Sequence, residues 1–336
     1  MNVKEFERNL HCGLGRCVTF LNNATSRNDY LQSVFYACTH NTCYDTQSEG
    51  TRAQYCYELA RAYNADNYFT NGIIRRLGEL NKEDDWEYCH LVDLLALFAS
   101  GGCAEALKAM KREYARLFVA VTTTEADGYD YYRDEYERTC INMIKADRGE
   151  AVKVAQDVGG LVLCGLYEYS DFEGLYYHYI SECKDAIIEL LTLSITDEAI
   201  AKFIGGLNYD SARIDAARNN GIFKVRRNLP KENKLTPLKE FLVENANNEA
   251  ALRTKLAQID FSGEAWHTDV MDIIACSNEL QLPDFVLEFV YENSPCSCCR
   301  FKCVKAMHER GALSREIIEE CRHDSNLSVR EFVEAL

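Results

Sequence analysis

The order of apolar and polar residues along this chain is that of helices. In DYLQSVFYAC, Asp29 to Cys38, the side chains of Tyr30, Leu31, Val34, Phe35 and Cys38 share one face. Steps of three and four residues stack side chains on a helix, whereas a strand needs steps of two. From Thr51 to Tyr63 the same kind of face carries Tyr55, Leu59 and Tyr63, with Cys56 alongside. The pattern continues in segments at 66–79, 84–99, 102–121, 130–146, 150–167, 180–194, 196–206 and 208–218. It resumes at 237–246, 248–259, 263–277, 281–292, 295–309, 313–322 and 326–335. Thr122 to Thr124 is β-prone, but it is too short for a strand and reads as a connector. Short helices joined by connections of a few residues make antiparallel pairs. The expected fold is therefore all-α, an α-solenoid of such pairs.

The last segments repeat a motif. Ser294-Pro-Cys-Ser-Cys-Cys-Arg300 precedes an apolar helix, and so does Asp324-Ser-Asn-Leu-Ser-Val-Arg330; the two arginines are 30 residues apart. Ser294 and Asp324 are the expected N-caps, because their side chains can accept the free first N–H groups of a helix. A polar cap followed by an arginine on the inner helix resembles the HEAT/armadillo repeat. Asp45 and Arg52 in YDTQSEGTR resemble a longer version of the motif, and Gly101–Leu107 resembles an inter-helix turn. The resemblance implies a HEAT-like superhelix in which Arg300, Asp324 and Arg330 form a structural ladder between repeats. It implies no particular activity.

Composition divides the chain and sets its compartment. The first 229 residues contain no proline, and the four prolines are Pro230, Pro237, Pro283 and Pro295. With the basic run Lys224 to Lys239, six cations against one acidic residue, they mark three regions. These are helical repeats over 1–222, a basic linker or hinge at 223–236, and further repeats over 237–336, within one continuous solenoid. The opening MNVKEFERNLHCGLGRC has no uninterrupted apolar stretch, and Asp93 interrupts the most apolar run, His90 to Ser100. Neither a signal peptide nor a membrane span is expected. The chain reads as cytoplasmic, with its 16 cysteines reduced. A net charge of −16 repels nucleic acid and anionic membranes and favours a basic or amphipathic protein partner.

Candidate chemistry is sparse. Cys296, Cys298, Cys299 and Cys303 cluster in PCSCCRFKC, with His308, Cys321 and His323 beyond. Cys296, Cys299 and Cys303 recur at i, i+3 and i+7, the spacing of a buried stripe, so they read as core thiols and no metal is assigned. The polar connection from Cys38 to Arg52 gathers His40, Cys43, Asp45, Glu49 and Arg52. It reads either as a capped turn with Glu49 and Arg52 paired, or as a ligand-contacting ridge. A Cys43–His40 nucleophile pair is the third reading. Two tyrosine-and-acid runs offer a binding face, the first with Tyr129, Asp130, Tyr131, Tyr132 and Tyr136, the second with Tyr176 and Tyr177. The alternative is that these rings pack between helices. No phosphate loop, GxSxG or HExxH motif is present, so no catalytic residue and no cofactor are assigned. The leading expectation is a non-catalytic protein-interaction scaffold. A nucleic-acid binder resembling HEAT-like DNA glycosylases, with Trp266 and Asp269 as its pair, and a thiol- or metal-dependent sensor are the alternatives.

Overall fold

A computed structural model describes residues 1–80, 85–123, 131–163, 236–261 and 266–336. Among these residues the regular structure is entirely helical. The expected helices at 180–218, the second tyrosine run with Tyr176 and Tyr177, and nearly all of the basic stretch lie outside the described residues. None of the described helices is long and apolar enough to cross a membrane.

Two compact units divide the chain: Met1–Gly72 together with Lys231–Leu336, and Ile73–Pro230. The first is built from helices α1 (Val3–Cys12), α2 (Arg16–Asn23), α3 (Leu31–Thr39), α4 (Thr46–Glu49) and α5 (Ala53–Arg61). It also holds α11 (Pro237–Glu244), α12 (Glu249–Leu256), α13 (Trp266–Leu280), α14 (Phe285–Asn293), α15 (Ser297–Glu309), α16 (Arg315–Cys321) and α17 (Leu327–Glu334). Helix α6 (Asp66–Glu79) runs across the boundary. The second unit contains α7 (Asp85–Ser100), α8 (Ala104–Thr123), α9 (Tyr131–Ala146) and α10 (Ala151–Leu163).

The helix limits follow from local chemistry. Asn2 accepts the Glu5 N–H at 3.0 Å to start α1, and Gly13, at φ 75°, ends it. Thr236 caps α11 ahead of Pro237, which needs no donor in a first turn. Ser314 caps α16 through the Ile317 N–H at 3.2 Å. The threonine run does not break α8: the helix continues to Thr123, and the Thr122 hydroxyl donates to the Phe118 carbonyl at 2.9 Å. A back-bonded threonine offers its hydroxyl to the helix itself, which is how a β-prone residue is kept helical.

In the second unit, α7, α8 and α9 pack against one another in all three pairings. Leu91, Leu94, Leu95 and Phe98 of α7 are fully buried there. Asp93, which interrupts that apolar run, takes the Arg138 guanidinium at 2.7 and 3.1 Å and the Asn142 amide at 2.8 Å.

In the first unit, segments far apart in sequence share one core. Cys12 and Leu14 belong to the same buried cluster as Leu287, Tyr291, Cys303 and Val329. The Ser325 N–H donates to the Gly13 carbonyl at 2.9 Å, and the Tyr55 hydroxyl donates to the Leu14 carbonyl at 2.9 Å. The glycines of HCGLGR serve this approach: a Cβ on Gly13 would stand 2.1 Å from Ser325 Oγ, and one on Gly15 would stand 2.0 Å from the Glu320 carbonyl oxygen.

Candidate functional site

Charged side chains inside the first unit are spent on holding turns. Arg300 is fully buried and forks onto Asp324, Nε to Oδ2 at 3.2 Å and Nη2 to Oδ1 at 3.0 Å. Its other nitrogen donates to the Ser294 carbonyl at 3.2 Å. Burial works against the guanidinium charge, but the Asp324 carboxylate outweighs it and raises the group above its ordinary value. Arg330 donates to the Asp324 carbonyl and to Glu58 Oε1, so the expected partners Arg300, Asp324 and Arg330 do meet at one turn.

The expected caps are displaced by two residues. Helix α15 begins after Cys296 and α17 after Asn326, and Asn326 accepts the Ser328 N–H at 2.8 Å. Asp324 instead accepts the Asn326 N–H at 2.8 Å, and the Ser294 hydroxyl donates to the Cys296 carbonyl at 3.2 Å. Both residues turn the chain ahead of the helix, because the buried arginine claims the remaining oxygens.

The Cys38–Arg52 connection folds as a hydrogen-bonded turn. Asn41 accepts the Cys43 N–H at 3.2 Å and donates to the Gly50 carbonyl at 3.2 Å. Glu49 accepts the Asp45 N–H at 3.2 Å and pairs with Arg52 at 3.2 Å, with both side chains almost wholly buried. Arg52 also donates to the His11 carbonyl at 2.6 Å and the Pro295 carbonyl at 3.2 Å. Of the candidate ridge residues, Glu49 and Arg52 are thus interior links and not ligand contacts. His40 stacks on Tyr36, ring centres 4.2 Å apart at 12°, and its Nδ1 lies 3.2 Å from the Tyr36 carbonyl. Burial pushes the Cys43 thiol up to about 12, so it stays protonated at neutral pH and is no nucleophile.

Beside this turn lies a group of thiols around an imidazole. Tyr44, half-exposed, sets its ring against Trp266 at 4.6 Å and His267 at 6.1 Å, in the first turn of α13. The ligand atoms of His267, Cys296 and Cys299 all lie within 4.8 Å of one another. Cys296 and Cys299 are buried and His267 is half-buried. Cys296, Cys299 and Cys303 are all buried in the core, as their spacing suggests, but Cys296 does not share the helix with the other two. Cys296 is extended and sits ahead of α15, while Cys299 lies in its first turn. The Cys296 and Cys299 thiols converge across the start of the helix, and Cys303, one turn further on, shares the same core and is held above its ordinary value by burial. Hydrogen bonds from the Cys298 and Cys299 thiols, with a further one from His267, hold Cys296 far below the usual thiol range. Cys298 and Cys299 are raised in return, the thiolate at Cys296 being the first cause of each shift. The grouping thus offers two sulfurs and one imidazole nitrogen close together.

Comparison with known protein families, with curated proteins and with solved structures finds no match. The site is therefore read from its own chemistry.

The remaining candidates separate cleanly. Tyr129 and Asp130 lie outside the described residues, and Tyr131 is described only as the first residue of α9. Tyr136 was a candidate for a binding face, but it is fully buried and its hydroxyl donates to Tyr114 at 3.0 Å, which in turn donates to Asp157 at 2.7 Å. The periodicity explains the burial: Tyr136 stands four residues before Cys140, on the apolar face of α9. Tyr132 is half-buried and lines a cleft of about 470 Å³ with Tyr88, Arg112, Arg116 and Glu135. Arg116 is held there by Glu113 at 2.5 Å and by Glu135 at 3.8 Å. Trp266 is buried against Phe261 and Tyr44, so its ring is not offered to a nucleobase.

Proposed function

We propose that this chain is a non-catalytic protein-interaction scaffold built from HEAT-like helix pairs, and that it works in the cytoplasm, where its many free thiols stay reduced. The observation that carries the proposal is the exposure of Tyr36, Tyr44 and Tyr68 on the first unit, at 58%, 42% and 41%. Arg52 and Arg300 of the same unit are buried and paired with carboxylates. Tyrosine presents a large amphipathic contact at small entropic cost, and hot spots draw on it for that reason. Tyr36 is pre-organised by its stack on His40, and Tyr68 by its contact with Phe35 at 5.0 Å. With a net charge of −16, the fitting partner is a basic or amphipathic segment of another protein.

The test is affinity capture from the source lysate after nuclease treatment, comparing the wild type with Tyr36→Ala/Tyr68→Ala. Loss of a hot-spot tyrosine costs about 2 kcal/mol or more, so a specific partner should be depleted on the order of thirtyfold by the double variant. Equal capture by both proteins would remove these tyrosines from the interface. Recovery that disappears with nuclease would transfer the function to nucleic acid.

A further inference from the structure

The ligand atoms of His267, Cys296 and Cys299 lie within 4.8 Å of one another inside the first unit. A polar imidazole nitrogen from the first turn of α13 and two sulfurs from the start of α15 converge there. Tetrahedral zinc with bonds of ~2.3 Å to sulfur and ~2.0 Å to nitrogen places its ligand atoms about 3.5–3.8 Å apart. Atoms already within 4.8 Å of one another reach that spacing by small side-chain rotations. The arrangement also follows the way such sites are assembled. Cys296 and Cys299 are spaced C-x-x-C, with the first in extended chain and the second in the opening turn of a helix. Two thiols so placed face the same point, and the helix N-terminus favours their negative charge.

We propose that His267, Cys296 and Cys299 bind one Zn²⁺ ion, with the fourth tetrahedral position left to solvent or a further ligand. Two sulfurs and one imidazole suit zinc over the hard cations magnesium and calcium, which take oxygen. Each cysteine enters as thiolate and gives its proton to solvent, and two thiolates balance the charge of the dication. The ion would tie the start of α13 to the start of α15 directly under Tyr44. The scaffold proposal does not depend on this site, since Tyr36 and Tyr68 touch none of its ligands in the contacts given above.

The experiment is metal analysis of the full chain purified without chelators, followed by stripping and titration of the reduced apoprotein with Co²⁺. The expected result is about one zinc per chain, and a cobalt form with a thiolate charge-transfer band and the strong visible bands of tetrahedral cobalt. Cys296→Ser and His267→Ala should each weaken cobalt binding by at least about tenfold. Cys303→Ser, one turn along the same helix, should leave it unchanged. Far-UV circular dichroism on each variant separates loss of the site from loss of the fold. Wild-type protein that holds no zinc and gives no tetrahedral cobalt spectrum overturns the proposal. So does cobalt binding that survives Cys296→Ser and His267→Ala together.

Discussion

Glu58 shows how single side chains decide the behaviour of the first unit. Its carboxylate receives Arg330, the His323 imidazole at 3.0 Å and the Gln54 amide at 3.0 Å. Burial works to raise this carboxyl, but Arg330 and then the hydrogen bonds outweigh it and hold the group below its ordinary value. A carboxyl depressed in the folded state stabilises the fold at every pH above its unfolded value, about 4.3 for glutamate. That contribution is lost as pH falls through the lower, folded value. Wild-type melting temperature should therefore fall with acidification below about pH 4.5, and Glu58→Gln should flatten that fall while lowering stability at neutral pH. Thermal melts of both proteins from neutral to acid pH check this; parallel curves would mean that Glu58 is not coupled to the fold. Nothing in the local sequence marks Glu58, because His323 and Arg330 lie more than 260 residues away and only Gln54 is near. Arg300 and Asp324, by contrast, were legible as a pair because the repeat places them a short span apart.

Elements were more legible than contacts. The expected segments at 66–79, 130–146 and 295–309 agree with α6, α9 and α15 to within two residues at each end. Helices α1, α2 and α4 were not foreseen. Helix α4 is a single turn, too short to show a period, and α1 and α2 are separated by the Gly13–Gly15 turn, which reads as a loop until its neighbour is known. The cysteine cluster was legible in part: the i, i+3, i+7 stripe is buried as expected, but the helix starts one residue after Cys296. A proline directly before Cys296 was the available signal, since Pro295 favours an extended or first-turn position. The same turn-level reasoning yields a prediction for HCGLGR. Gly13 has φ 75°, and any side chain there meets Ser325 at 2.1 Å. Gly13→Ala adds backbone strain of roughly 1–3 kcal/mol to that clash, and it should lower the urea midpoint without changing far-UV helix content. Ala at Gly78, where an added Cβ meets nothing, is the matched control and should be neutral or slightly stabilising.

At the scale of the whole molecule, the first unit joins segments that a linear repeat array would keep apart. In an array each repeat leans only on its neighbours, so removing the last helices leaves the first ones intact. Here α16 and α17 bear directly on the N-terminal helices. Arg16 pairs with Glu320 at 2.9 Å, His323 and Arg330 reach Glu58, and Ser325 bonds to the Gly13 carbonyl. Arg52 reaches back the other way, to the Pro295 carbonyl ahead of α15. Periodicity within a segment reports which face is buried and not what buries it, so this joining could not be read from the pattern that predicted the helices. Its consequence is cooperative. Deleting 315–336 should expose the buried surface around Leu14 and Cys17 and leave Arg16 and Glu58 without their partners. Amide exchange in α1, α2 and α5 should then accelerate by orders of magnitude, approaching the rate of global opening. Exchange in α7, α8 and α9, which belong to the other unit, should change little. If the deletion left α1 and α2 as protected as in the full chain, the N-terminal helices would be self-sufficient, and the long-range bonds would be ornaments on a linear array and not its closure.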